Sequence, residues 1–238
     1  MNHEMKFELF QPWSTFVIKT KLPSEVLEKM IRITDEIVEN RAGRGDEPGA
    51  GQLIDQFFIN FKILEQEEVM GFFLEVCRSF VIQAYCQSQP FNKEYIMNEQ
   101  WLTQLTRMWV NSQKDNEYFP NHIHTQCAIS SVMYLKIPEY LPSRKTFGNI
   151  FEDDGALEFS NNTTQDQIWG SSDFKILPQV GDFFIFPATQ RHQVYPFRTA
   201  DGKGERRSVS FNADFSSKTV QANIKKQQLT TEGEKIYD

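Results

Sequence analysis

The stretch PNHIHTQCAISSVMYLKIP, residues 120–138, carries His122 and His124 two positions apart, ahead of an apolar run that passes through Tyr134. Successive side chains of an extended chain alternate faces, so the two imidazoles project to one side with Ile123 opposite. That geometry lets both grip one metal ion. Alone, an HxH pair reads equally well as two surface or hydrogen-bonded histidines, in a chain with only four histidines. A third, His192, follows LPQVGDFFIFPATQRH, in which a Gly-Asp turn leads into an apolar strand that stops at Pro187. A distant strand of a β-sandwich can return such a residue to the first two. Non-haem iron sites are split in this way, with protein ligands on one face of the ion and open positions for substrate and oxygen on the other.

A second group lies in GERRSVSFNAD. Strand alternation puts Arg206, Ser208, Ser210 and Asn212 on one face and Arg207, Val209 and Phe211 on the other. An arginine followed by hydroxyls can pair bidentately with a carboxylate and hydrogen bond its flanks. A small dicarboxylate near a metal suits this face, while a solvated basic edge with ordinary strand serines is the alternative.

The elements that must position these residues follow from the hydrophobic pattern. FELFQPWSTFVIKTKL reads as an opening strand. LPSEVLEKMIRITDEIVEN reads as an amphipathic helix, with Ser24 as N-cap and Val26, Met30, Ile33 and Ile37 at helical spacing. RAGRGDEPGAGQ is a loop. LEQEEVMGFFLEVCRSFVIQAYCQSQ reads as a second helix, whose stripe of Phe72, Phe73, Val76, Phe80 and Ala84 is core packing rather than a ligand channel. From about residue 95 come short β-branched and aromatic runs broken by turns, the pattern of an antiparallel sandwich or barrel. The expected organisation is a single domain over 1–238, with an N-terminal strand and helices (1–94) packed on a β-core (95–215) and a frayed tail (216–238).

Composition excludes several classes. With 238 residues, 39% hydrophobic and 24% charged, the chain reads as a soluble globular protein. The net charge of −7 argues against nucleic-acid binding, which is driven by lysine and arginine. No apolar run approaches a membrane span and the N-terminus lacks a signal pattern, so a cytoplasmic protein is expected. Cys77, Cys86 and Cys127 form no CxxC pair, and the odd count disfavours a disulfide framework.

The ordered motifs MWVNSQKDNEYFPNHIHTQCAISSVMYLKIP, GALEF, LPQVGDFFIFPATQRHQVYPF and GERRSVSFN together resemble the 2-oxoglutarate and Fe(II)-dependent oxygenases, in particular a small microbial and phage branch related to prolyl 4-hydroxylases. The resemblance implies a mainly β fold with flanking α-helices around a double-stranded β-helix (jelly-roll) core. It also implies a dioxygenase that hydroxylates a peptidyl proline or a small molecule with release of succinate and CO2. The cofactors would be Fe(II), 2-oxoglutarate and O2, with ascorbate in support. The protein would be a monomer or homodimer, and a phage-encoded protein of a host cytoplasm is one origin.

Carried over by position, the family's HxD pair falls on His122 and His124 and its distal histidine on His192. The arginine that holds the far carboxylate of 2-oxoglutarate falls on Arg206, with Arg207 as second choice. Ser208, then Ser210, assist it, and Tyr134 matches a tyrosine that contacts the cosubstrate. His124 departs from the family's aspartate and leaves the site one unit more positive, although imidazole suits iron. Asp154 and Glu158 are the acids that could substitute. Asp154 reads as part of the turn before Gly155, and Glu158 is the candidate carboxylate ligand. Asn111 could face the pocket and Trp109 reads as core.

Two other classes fit parts of the pattern. A cupin-like metal site also joins HxH to a distal histidine, but cupins usually place a Glu a few residues later and HTQCAISS has none. A non-catalytic β-sandwich interaction module is the other. The 41–52 loop and the 141–154 segment are candidate lids.

Overall fold

The computed structural model describes residues 16–44, 53–89, 92–142, 153–161, 172–219 and 221. The opening strand before Phe16, the loop beyond Arg44, most of the 141–154 segment and the tail from 222 lie outside the described residues. The described elements run β1 (Ile18–Lys21), α1 (Ser24–Glu39), β2 (Gln56–Phe58), α2 (Phe61–Gln66), α3 (Met70–Ser88), α4 (Lys93–Asn98), β3 (Trp101–Lys114), β4 (Phe119–His122), β5 (Ile129–Lys136), β6 (Leu157–Ser160), β7 (Asp173–Ile176), β8 (Asp182–Pro187), β9 (Arg191–Val194) and β10 (Glu205–Ser217).

These strands form two antiparallel sheets, in the orders β1-β8-β5-β10-β3-β2 and β4-β9-β6-β7. From β3 onward the chain deals four strands to each sheet, with β3, β5, β8 and β10 in the larger and β4, β6, β7 and β9 in the smaller. The result is a jelly roll whose larger sheet is extended at its two edges by β1 and β2.

Two cores explain why β5 and β8 are apolar on both faces. On β8, Phe183 and Ile185 join a cluster with Met30, Ile33 and Ile37 of α1 and Phe73, Cys77 and Phe80 of α3. Phe184 and Phe186 turn the other way, into a second cluster between the sheets with Val132, Tyr134, Leu157 and Phe159. Such double burial produces continuous apolar runs rather than alternation. The aromatic stripe of α3 is core packing: the Phe73 ring meets Phe183 and Phe211 edge-on at centroid distances of 6.4 and 5.8 Å. In the same core, burial pushes the Cys77 thiol up to about 12.

Three local expectations are corrected. Ser24 is the first helical residue, and the cap position is taken by Pro23, which offers no side-chain acceptor. The helix expected over 64–89 is two, because Glu68 adopts φ of 59° between α2 and α3, and a left-handed residue does not propagate a right-handed helix. The run FKILPQVGDFFIFP is likewise two strands in different sheets, divided at Gly181 with φ of 83°, where glycine carries no Cβ penalty. No described helix is long and apolar enough to cross a membrane.

Candidate metal centre and carboxylate pocket

β4 is an edge strand of only four residues, and it carries Pro120, which edge strands tolerate because no ladder hydrogen bond is lost. It pairs with β9 so that His122 lies directly opposite His192. His124, just beyond β4, is tied down by its backbone N–H, which donates to Ala188 O at 2.8 Å. The three imidazoles converge: one nitrogen from each lies within 4.8 Å of the others. His192 is buried and the other two are half-buried.

The tautomers suit a metal. The Nδ1 of His122 lies 2.7 Å from Pro120 O and that of His192 lies 3.0 Å from Gln190 O. Because a carbonyl only accepts, each Nδ1 carries the proton and each Nε2 presents a lone pair, the usual support of a ligating histidine. Burial lowers all three pKa values, that of His124 to about 4 and that of His192 to about 3, with the neighbouring imidazoles as a further cause for these two. The rings are therefore neutral bases near pH 7, the form that binds metal. Three neutral imidazoles within reach of one point fit Fe(II).

The same cavity extends to the larger sheet, where Arg206, Ser208 and Ser210 of β10 and Tyr134 of β5 line it. Arg206 is 1% exposed, and its guanidinium stands 5.8 and 5.6 Å from the ring centroids of Tyr134 and Phe197. Its Nη1 donates to Gly155 O and its Nη2 to Gln113 Oε1, both neutral acceptors. No carboxylate pairs with it among the described residues. The Tyr134 hydroxyl, also in the cavity wall, is buried without a hydrogen-bond partner among them. An unpaired buried cation beside an orphan hydroxyl is costly unless a ligand completes it. An anion with oxygen acceptors does so.

Arg207 points the other way, toward α1, and its charge is spent on Asp35 and on Glu205 at 2.6 Å. Glu158 does not approach the histidines. On β6 it alternates with Leu157 and Phe159, which fill the inter-sheet core, and its carboxylate accepts from Gln193 Nε2 at 2.6 Å and Tyr195 Oη at 2.7 Å. Asp154 belongs to the turn at Gly155 and pairs with Arg198 at 2.8 Å. Trp109 is buried as expected but also lines the cavity, where it lies 5.7 Å from the His124 ring. Asn111 faces the cavity as well. Sequence reasoning missed Gln113, whose Nε2 donates to Glu117 O and whose Oε1 is thereby turned to Arg206. Its parity with Asn111 on β3 was the available signal.

Residues 107–212 match the family described as "Putative 2OG-Fe(II) oxygenase". The matched span runs from β3 to β10 and contains all three histidines, Tyr134 and Arg206. Among solved structures, the fold is similar to the non-heme alpha ketoglutarate dependent epimerase SnoN from nogalamycin biosynthesis (12% identity, 83% of this chain and 76% of that one, TM-score 0.51). It is also similar to AviO1 from Streptomyces viridochromogenes Tue57 (10% identity, 84% and 90%, TM-score 0.51). A prolyl-4-hydroxylase from Pseudomonas putida aligns at 13% identity over 84% and 93% of the two chains, with a TM-score of 0.46. No curated protein matches the sequence. The 2OG-Fe(II) oxygenase likeness thus covers the jelly roll and its pocket, and the family implies Fe(II) and 2-oxoglutarate as cofactors.

Proposed function

We propose that this protein is a 2-oxoglutarate and Fe(II)-dependent dioxygenase that hydroxylates a C–H bond of a peptidyl prolyl side chain or a small molecule. The observation that carries the reading is Arg206, a buried guanidinium with no carboxylate partner among the described residues, facing the same cavity as three convergent neutral histidines. A dicarboxylate that reaches the metal with one end needs a cation at its far end, and Arg206 lines the same cavity as the histidines.

In this reading His122, His124 and His192 hold the metal through Nε2 lone pairs fixed, for two of them, by the carbonyls of Pro120 and Gln190. Arg206, with Ser208 and the Tyr134 hydroxyl, holds the C5 carboxylate of 2-oxoglutarate, and Ser210 lies on the same face nearer the metal. The apolar side chains of Val132, Leu157 and Val194 keep the intervening space dry, which strengthens the pairing with Arg206. Iron, when bound, supplies the redox chemistry by which 2-oxoglutarate and O2 become succinate and CO2 while the second oxygen atom enters the substrate C–H bond.

Calorimetric titration of 2-oxoglutarate into the Mn(II)-loaded protein tests this. Wild type is expected to bind, and Arg206→Ala to weaken binding by at least about thirty-fold, the scale for removing one partner of a buried charge pair. Equal binding by the two proteins, with both folded by circular dichroism, would instead favour a metal site of the cupin kind.

A further inference from the structure

Three cross-strand pairs of the larger sheet face the cavity: Arg206 opposite Gln113, Ser208 opposite Asn111, and Ser210 opposite Trp109. The first pair is the carboxylate end, and the last touches His124 through the Trp109 ring. Residues two apart on a strand are separated by about 6.6 Å. Asn111 therefore stands one such step from each end, where a ligand anchored on Arg206 and directed at the histidines must pass.

Its orientation is fixed from outside the cavity. Gln56, on the edge strand β2 and directly opposite Asn111, donates from Nε2 to Asn111 Oδ1 at 2.9 Å. The acceptor end of the carboxamide is thereby occupied. Both hydrogens on Asn111 Nδ2 remain, and no residue among those described accepts them.

We infer that Asn111 is a further ligand-contacting residue, donating from Nδ2 to a carboxylate oxygen of the bound 2-oxo acid. Gln56 is the positioning residue that holds the amide in that sense. This rests on the 2-oxoglutarate reading of the pocket and adds a second anchor to it.

The test is titration of 2-oxoglutarate into the Mn(II)-loaded full chain. A hydrogen bond to a charged group corresponds to at least about ten-fold in affinity, so Asn111→Ala is expected to weaken binding by about that factor. Gln56→Glu keeps the side-chain shape but offers only acceptors; it captures Nδ2 and turns Oδ1 toward the ligand. It should weaken binding by about ten-fold as well. Introduced into the Asn111→Ala background, Gln56→Glu should add nothing, because its effect runs through Asn111. A merely structural role for Gln56, or direct repulsion by the new charge, would leave its effect intact in that background and overturn the inference. So would unchanged affinity in Asn111→Ala. If Arg206→Ala abolishes binding while Asn111→Ala does not alter it, this inference alone fails. If wild type does not bind 2-oxoglutarate, the reading of the pocket fails with it.

Discussion

At the scale of single residues, the proposed metal site is tested most sharply at His124. His122 and His192 are each braced through Nδ1 by a backbone carbonyl, whereas His124 is held by its backbone N–H and by contact with the Trp109 ring. A carboxylate at this position lowers the charge of the site by one unit and needs no tautomer support. His124→Asp is therefore expected to keep Mn(II) affinity within about ten-fold of wild type. His192→Ala should cost more than about 100-fold, beyond what the loss of a supporting residue usually costs. Competition with a chelator of known affinity measures both. Parity explains which of these residues could be recognised before folding. Arg206 and Arg207 are neighbours of identical chemistry, and only strand alternation separates the one in the cavity from the one paired with Asp35. Gln113 shares the parity of Asn111 on β3, but Gln56 carried no such mark, because an amide acquires its role from the partner across the strand, which one sequence does not display.

At the scale of elements, Arg207 fastens α1 to the larger sheet. It pairs with Asp35 of α1 and with Glu205, and Lys136 of β5 adds a second cation at Asp35. Burial opposes ionisation of Asp35, but hydrogen bonds from Lys136 and Arg207 outweigh it and hold the carboxyl below its ordinary value. Glu205 follows the same logic, with Ser112 and Arg207 overcoming the burial penalty. A carboxylate whose folded pKa is depressed contributes stability that is present above its unfolded pKa and lost as pH falls through the folded one. Denaturant titrations should thus show stability declining below about pH 4, and Asp35→Asn should flatten that decline. Arg207→Ala should cost about 2–3 kcal/mol near neutral pH, less than a fully buried pair, because Asp35 is 45% exposed. The long strands and α1 were legible as runs and stripes. The four-residue β4, the three-residue β2 and the break at Glu68 were not, since short edges and left-handed turns at ordinary residues leave no periodic signal.

For the whole molecule, the jelly roll was readable from the β-rich second half, but the division of labour between its sheets was not. The smaller sheet brings His122 and His192 side by side, and the larger sheet supplies Arg206 and Tyr134. The pocket exists only where the sheets face each other. A ligand that bridges them should stabilise the entire fold. At Mn(II) concentrations of about 100 Kd the native state gains about 2.7 kcal/mol, a rise of about 5–10 °C in Tm for a chain of this size, and His192→Ala should abolish the shift. The most direct test of the central claim is succinate release from 2-oxoglutarate by the purified protein with Fe(II), ascorbate and O2, quantified by mass spectrometry against His192→Ala and Arg206→Ala controls. The account predicts succinate well above both controls, with a further rise in the presence of an accepted substrate. Wild-type release equal to that of the His192→Ala control, across peptide and small-molecule panels, would contradict it.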